Sequence, residues 1–384
     1  MTNRMTSRER VLAALSHQQP DRVPMDLGAS IVSSIHVQAY DNLKKYLGLD
    51  LGATKIFART SQLAVVDPVI LDLFGVDTLG VKPGSPENHP HREVPDEYGF
   101  IDEWGILRKM PPDADTYYVA NAPLEGNISI QDVMNYPMPD PSDPGYARGL
   151  REKILALRAT SDRAIAISLP DSVVQQSQLL RGFGEWYTDA ALNPDLMCAL
   201  MDRVLENQIA IWDTILSAVG DVIDLVFNFD DLAMQDRLIV SPAMYRKYLE
   251  PRVRTYIDWL KRKTSAKIVF HTDGAIVPVL PSLADMGVDC VNPLQVSAKG
   301  MGDVVALKKQ FGDRLSFWGG VDSQHTLPHG TADEVRAETV SRVRDLNQNG
   351  GYVLGAVHNI QGDVPPENLV ALFDTGLGKK LSND

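Results

Sequence analysis

Cysteine is scarce in this chain. Its 384 residues include two, Cys198 and Cys290, too few for a disulfide framework or for a zinc site built from several thiolates. Positive charge is in deficit as well, with 37 Lys and Arg against 50 Asp and Glu and a formal charge of −13. Nucleic acid and anionic membrane, which recruit basic footprints, are therefore excluded as main partners. No apolar run approaches the roughly 18 residues that span a bilayer. The first ten residues are polar, without the apolar stretch of a secretory leader, so a cytoplasmic location is expected. No strand-like run is followed by a complete G-x-G-x-x-G fingerprint or a G-x-x-x-x-G-K-[ST] loop, which counts against a doubly wound nucleotide-binding sheet.

What remains is the composition of an ordinary globular protein, 44% hydrophobic and 23% charged. Its length fits one barrel with insertions, whose usual range is about 200 to more than 400 residues. Residues 6–15 begin with a capping Thr or Ser and carry apolar residues at helical spacing, which predicts a first helix ending near Gln19 and Pro20. Residues 22–28 read as a short strand running into a glycine turn, and residues 40–47 as an amphipathic helix. Residues 79–144, rich in Pro and Gly, read as a loop-rich insertion with short strands around 100–110.

From Tyr146 onward helical stretches alternate with short apolar runs at 164–168, 223–227, 267–270, 289–292, 315–318 and 351–354. Runs near Val23 and Leu79 bring the strand total to about eight, the number that closes a (β/α)8 TIM-type barrel. The expected architecture is thus a single α/β domain over residues 1–384, with an N-terminal helical segment and the 79–144 insertion. A doubly wound open sheet is the alternative.

In a parallel barrel the residues just after each strand form a ring at one mouth, where ligands bind. That ring reads Asp26, Asp171, Asp230 and Asp231 with Gln235, His271 and Asp273, Asn292 with Gln295, Asp322 with Gln324, and His358 with Asn359. The segment His271-Thr-Asp273-Gly274 is its focus. Two potential ligands two residues apart in extended backbone point the same way, and glycine lets the chain turn at once. His358 follows the last strand in Gly355-Ala-Val-His-Asn. His271 and His358 admit two readings, metal ligation or direct acid–base work. Asp230 and Asp231 admit capping of a neighbouring helix, or one cap and one pocket acid. Asp322 sits in a credible turn, Trp318 and Phe229 fit either a pocket wall or barrel core, and Cys290 reads as a small buried hydrophobe. His89, His91, His325 and His329 fall in loops and are expected in solvent.

At these residues the chain resembles the uroporphyrinogen decarboxylase superfamily. The similar stretches are Asp21-Arg-Val-Pro-Met-Asp-Leu-Gly28, Asp230-Asp-Leu-Ala-Met-Gln235 with Ser241-Pro242, His271-Thr-Asp-Gly274, Phe317-Trp-Gly-Gly-Val-Asp322, and His358-Asn-Ile360 with Pro365-Pro-Glu-Asn368. The resemblance implies the (β/α)8 barrel independently of the strand count. It also carries departures. The haem-pathway enzyme is similar in fold but holds its polycarboxylate substrate with arginines soon after the first strand, where this chain has Leu27-Gly-Ala-Ser-Ile-Val-Ser-Ser34 and no cation. The zinc methyltransferases of the superfamily carry a His-x-Cys pair and a later Cys; here Asp273 and His358 stand in those places.

The resemblance therefore points to the methyltransferase-type branch. It implies a corrinoid-dependent methyltransferase, or demethylase, acting on a small methylated donor or acceptor. Zinc or another divalent metal is expected at His271, Asp273 and His358, polarising the reacting heteroatom. Asp230, Asp231 and Asp322 are the expected catalytic groups, and Asp26, Asp171, Gln235, Gln295, Trp318 and Asn359 the expected substrate contacts. No Asp-x-His-x-x-Gly corrinoid motif is present, so the corrinoid is expected on a separate protein. A homodimer is also implied. The competing expectation is a uroporphyrinogen decarboxylase-like lyase acting on a small carboxylate without corrinoid.

Overall fold

The computed structural model describes residues 4–168 and 172–378. Thirteen short strands are present among them. Ile56–Ala58 (β1) and Leu63–Ala64 (β2) form a hairpin, and Thr78–Val81 (β3) is the first strand of the main sheet. Arg92–Val94 (β4), Gly99–Ile101 (β5), Leu107–Lys109 (β6) and Tyr118–Asn121 (β7) form a separate antiparallel sheet. The main sheet continues with Ala164–Ser168 (β8), Leu225–Phe229 (β9), Lys267–His271 (β10), Cys290–Asn292 (β11), Ser316–Val321 (β12) and Tyr352–Ala356 (β13).

The main sheet is parallel and seven-stranded, ordered β13-β12-β11-β10-β9-β8-β3. From β8 onward each strand lies beside the next in sequence, and helices such as Glu250–Lys263 and Ala332–Leu346 make the returns, as in a TIM-type barrel. The eighth strand expected near Val23 is not formed as a strand. The segment around Met25 makes a single parallel bridge to Leu354. Leu354 N donates to Pro24 O and Asp26 N to Leu354 O, while on the other side Asp77 N donates to Met25 O. This short piece therefore lies between the two edges of the sheet. Pro24 has no N–H to extend the ladder and Gly28 turns the chain at φ +95°, so the pairing stops there. Gly80 lies at the same seam, where a Cβ would sit 2.2 Å from Gly28 O, so the close approach of these backbones needs glycine.

The barrel interior is lined by alternate strand residues, among them Ala164, Ala166, Leu225, Phe227, Phe229, Val269, Cys290, Trp318 and Val353. Val11 and Leu15 pack into the same cluster. Val11 lies in the first helix, Ser7–Ala14, and Leu15 is its C-cap; the helix opens with a capping box of Thr6 and Glu9 and ends at Ala14, short of Gln19. Full burial of a Val, Leu or Phe side chain in this cluster contributes roughly 1.5–3 kcal/mol. The second helix runs over Val37–Tyr46.

The insertion holds more order than a loop. Its four-stranded sheet, with the helix Ile130–Asn135 following, occupies much of the span read as loop-rich, and Leu79 belongs to β3 of the main sheet. Arg59, in the turn of the first hairpin, lies 4.1 Å over the Phe100 ring and pairs with Glu93, fastening that sheet to the hairpin. His91, expected in solvent, stacks on Phe100 at 4.9 Å and bonds Glu103 at 2.8 Å. No helix of the described residues is long and apolar enough to cross a membrane.

Candidate metal centre at the strand ends

His271 is the last residue of β10 and His358 lies two residues beyond β13. Asp273 follows His271 in the turn that Gly274 closes. One ligand atom from each of these three residues lies within 4.8 Å of the other two. His271 Nε2 is 3.6 Å and His358 Nε2 3.8 Å from the same oxygen, Asp273 Oδ2. His271 is buried, whereas the side chains of Asp273 and His358 are each about a third exposed, at 33% and 34%. The cluster is therefore reachable from solvent on one side.

Local backbone chemistry explains the convergence. Gly274 has φ +94°, and a Cβ there would stand 2.4 Å from Met234 O, so only glycine permits the turn that swings Asp273 back over His271. Gln295 Oε1 accepts from Gly274 N at 2.6 Å and braces that turn. Next to β10, Asn292 at the end of β11 pairs in register with His271 and accepts its Nδ1–H on Oδ1 at 2.7 Å. That bond places a proton on Nδ1 and turns Nε2 toward Asp273, which is the nitrogen a metal ligand would use. The Phe229 ring, in register on β9, stands 5.6 Å from the imidazole and forms an apolar wall.

Electrostatics at the cluster follow from the same neighbours. Burial opposes ionisation of Asp273, but His271 and His358 outweigh it and hold the carboxyl down at about 2. Burial likewise opposes protonation of His271, yet Asp273 and Asp231 raise its affinity for a proton above the ordinary value. Burial pulls His358 the other way, below its ordinary value, against the attraction of Asp273. The site thus offers one carboxylate between an imidazole whose proton affinity is raised and one whose affinity is lowered.

The remaining expected residues divide. Asp231 joins the site: its Oδ1 is 3.8 Å from His271 Nε2 and accepts from Asp273 N at 3.3 Å. Asp230, expected to be catalytic, is committed elsewhere. Its carboxylate accepts the backbone N–H groups of Val173, Val174 and Gln175 at 2.9 to 3.3 Å, capping the helix Val174–Arg181. Burial pushes that carboxyl up to about 7 despite the amide donors. Asp322 accepts from Gln324 N and from His325 Nδ1–H, both in its own turn. Those bonds, not the His271, Asp273 and His358 cluster, hold it.

Four of the expected substrate contacts make hydrogen bonds within the protein. Asp26 is buried and takes hydrogen bonds from Ala29 N, Thr78 Oγ1 and Trp318 Nε1, so it and Trp318 tie the barrel seam from inside. Asn359 accepts from Ser34 N and donates to Ile31 O, pinning the residue 28–36 loop. Gln295 braces the Gly274 turn, as described above. Gln235 is exposed and meets the rest of the protein through its backbone carbonyl, which accepts from Lys299 N. Asp171 lies outside the described residues. Sequence reasoning placed Asn292 at the mouth without a role and missed Gln175, whose position in a helix with polar neighbours carries no motif.

Residues 123–376 match the family model for uroporphyrinogen decarboxylase (URO-D). Two curated relatives, both named methylcobamide:CoM methyltransferase MtaA and both from Methanosarcina barkeri, are 28% and 27% identical over 222 residues. Those matches cover 57% of this chain and 60% of each relative, so the similarity spans about three-fifths of the relatives' length. A solved methyltransferase from Methanosarcina mazei superposes with a TM-score of 0.68 over 97% of this chain and 99% of its own, at 20% identity, which establishes the shared fold. The chain belongs to the uroporphyrinogen decarboxylase family, and the relatives it resembles there are methyltransferases.

Proposed function

We propose that this protein is a methyltransferase that moves a methyl group between a small substrate and a corrinoid carried by a separate protein, with a divalent metal, zinc in the first instance, at His271, Asp273 and His358. The observation that carries the reading is the convergence of these three ligand atoms within 4.8 Å at the ends of β10 and β13. Similarity to methyltransferases named for a methylcobamide substrate supports the corrinoid.

The residues fit a metal. Two imidazoles and a carboxylate are an ordinary donor set for zinc. Asn292 fixes the tautomer of His271, as outer partners of ligating histidines do. The set holds oxygen and nitrogen and no thiolate, harder than the His-x-Cys and Cys pattern of the thiol-methylating branch, and this favours an oxygen or nitrogen heteroatom over a thiol. When bound, the ion supplies Lewis acidity to the heteroatom that carries or receives the methyl group. The chain's own groups do the rest: Asp231 accepts or returns a proton beside His271, Phe229 keeps water from one side, and Gln295 holds the turn that aims Asp273. The lyase reading has weaker support. The groups whose charges act on Asp273 are two imidazoles, His271 and His358, which suit a metal better than a guanidinium fork for a substrate carboxylate.

The test is metal content by mass spectrometry on protein purified without chelators, for the wild type and for His271→Ala and His358→Ala, followed by methyl transfer to cob(I)alamin read by absorbance. The expected result is about one divalent ion per wild-type chain, loss of it in both variants, and methylcobalamin formation that needs the ion. A folded wild type that takes up no zinc overturns the metal reading. Metal uptake with no methyl transfer to cob(I)alamin or to a corrinoid protein, across methoxy and methylamino donors, overturns the methyltransferase reading.

A further inference from the structure

Asp231 stands beside the three clustered ligands, and its orientation is fixed from the helix Val174–Arg181. One of its oxygens, Oδ2, accepts from Gln175 Nε2 at 2.7 Å. The other, Oδ1, is thereby turned inward, where it accepts from Asp273 N at 3.3 Å and faces His271 Nε2 at 3.8 Å. Gln175 is itself anchored independently: its backbone N–H donates to Asp230 Oδ1 at 3.0 Å, in the first turn of the helix Val174–Arg181. One residue thus spans both acids, through its backbone to Asp230 and through its side chain to Asp231.

From this geometry we infer that Gln175 is a positioning residue that holds Asp231 as a fourth group of the metal centre, its inward oxygen facing the ion. The inference rests on the metal reading above and deepens it. A free aspartate on a strand end, about a third exposed, rotates among several rotamers, and only some aim an oxygen at His271. The bond from Gln175 selects one of them before any ion arrives. It also leaves Oδ1 without a strong donor, since its one amide contact is long, so the lone pairs on that oxygen remain available. Because the Asp230 cap is made by the Gln175 backbone, a side-chain substitution at this position leaves the cap intact and removes the bond to Asp231 alone.

The probe is zinc, with affinity measured by competition against a chromophoric chelator, and cobalt(II) as a spectroscopic substitute. Asp231→Asn is expected to weaken zinc by about 10- to 100-fold, the usual cost of losing a supporting group at such a site. Gln175→Ala is expected to weaken it several-fold, to alter the cobalt(II) visible spectrum in the same direction, and to leave the thermal midpoint within about 2 °C of wild type. Combined, Gln175→Ala and Asp231→Asn are expected to be no weaker than Asp231→Asn alone, since both act through one carboxylate. Wild-type zinc affinity and spectrum in Gln175→Ala, or additive losses in the double variant, would overturn the inference while leaving the metal site standing. Absence of zinc binding in the wild type overturns both.

Discussion

Two polar clusters occupy the barrel, one at its seam and one at its mouth, and they are wired in opposite ways. At the seam, Asp26 is buried and meets three hydrogen-bond donors, from Ala29, Thr78 and Trp318. At the mouth, Asp273 is a third exposed and faces two imidazoles at 3.6 and 3.8 Å, beyond hydrogen-bonding distance. The first arrangement is satisfied within the protein. The second gathers lone pairs around a space with few donors, which is costly unless something positive enters it. Both clusters look alike in sequence, as polar residues following apolar runs. What separates a structural acid from a functional one is where its donors come from.

The largest break in that comparison should come from the seam. Asp26→Ala strands the Thr78 hydroxyl, the Trp318 indole N–H and an amide in the barrel interior, and should cost about 3–5 kcal/mol in urea unfolding. A stability loss under about 1 kcal/mol would show that the seam does not depend on this carboxylate. At the mouth the order of effects reverses. Asn292→Ala frees the His271 ring and should weaken zinc by about 10- to 100-fold by chelator competition, whereas Asn292→Asp keeps an acceptor on Nδ1–H and should bind close to wild type.

Two acids of the mouth region should also part company with pH in the metal-free protein. Asp273 has its folded value depressed to about 2. Its contribution is complete above about pH 4, the unfolded value, and is lost as the pH falls from there toward 2. Asp230, the helix cap, has its folded value raised to about 7. Its protonated form is favoured in the fold, so its contribution is complete below about pH 4 and is lost as the pH rises from there toward 7. Urea midpoints across this range should show Asp273→Asn flattening the loss toward acid and Asp230→Asn flattening the decline between about pH 4 and 7. Equal slopes in wild type and variants would remove the distinction. A smaller effect is expected at Trp318→Phe, which deletes one donor to Asp26 and trims a fully buried indole to a phenyl; about 1–3 kcal/mol is lost and metal affinity is unchanged. A change in metal affinity there would return Trp318 to the pocket.

Much of the fold was legible because the signals are local. The runs expected at 164–168, 267–270 and 289–292 became β8, β10 and β11 within a residue of the expected bounds, while the run at 223–227 lies two residues early relative to Leu225–Phe229. A local slip of that kind is what apolar flanks such as Val222 and Ile223 produce. The segment at Met25 misled for a different reason. Its apolar pattern suits a strand, but Pro24 and the turn at Gly28 restrict it to one bridge, and the seam is completed by side chains. The insertion was underread because its strands are three or four residues long and half-exposed, too short for alternation to stand out from a loop.

The sequence by itself determined the parallel α/β architecture, the membership that the ordered motifs announce, and the segment His271-Thr-Asp-Gly274 as the focus, because strand periodicity, a glycine turn and ligand spacing are all properties of a few adjacent residues. Only the tertiary structure decided which acids are free. Asp230 and Asp231 are neighbours with the same chemistry, yet one caps a helix and the other faces His271, because their partners, the amides of residues 173–175 and the side chain of Gln175, are brought in from a distant stretch of chain. Hydrogen-bond satisfaction is a property of packed surroundings, and no spacing rule along the chain encodes it.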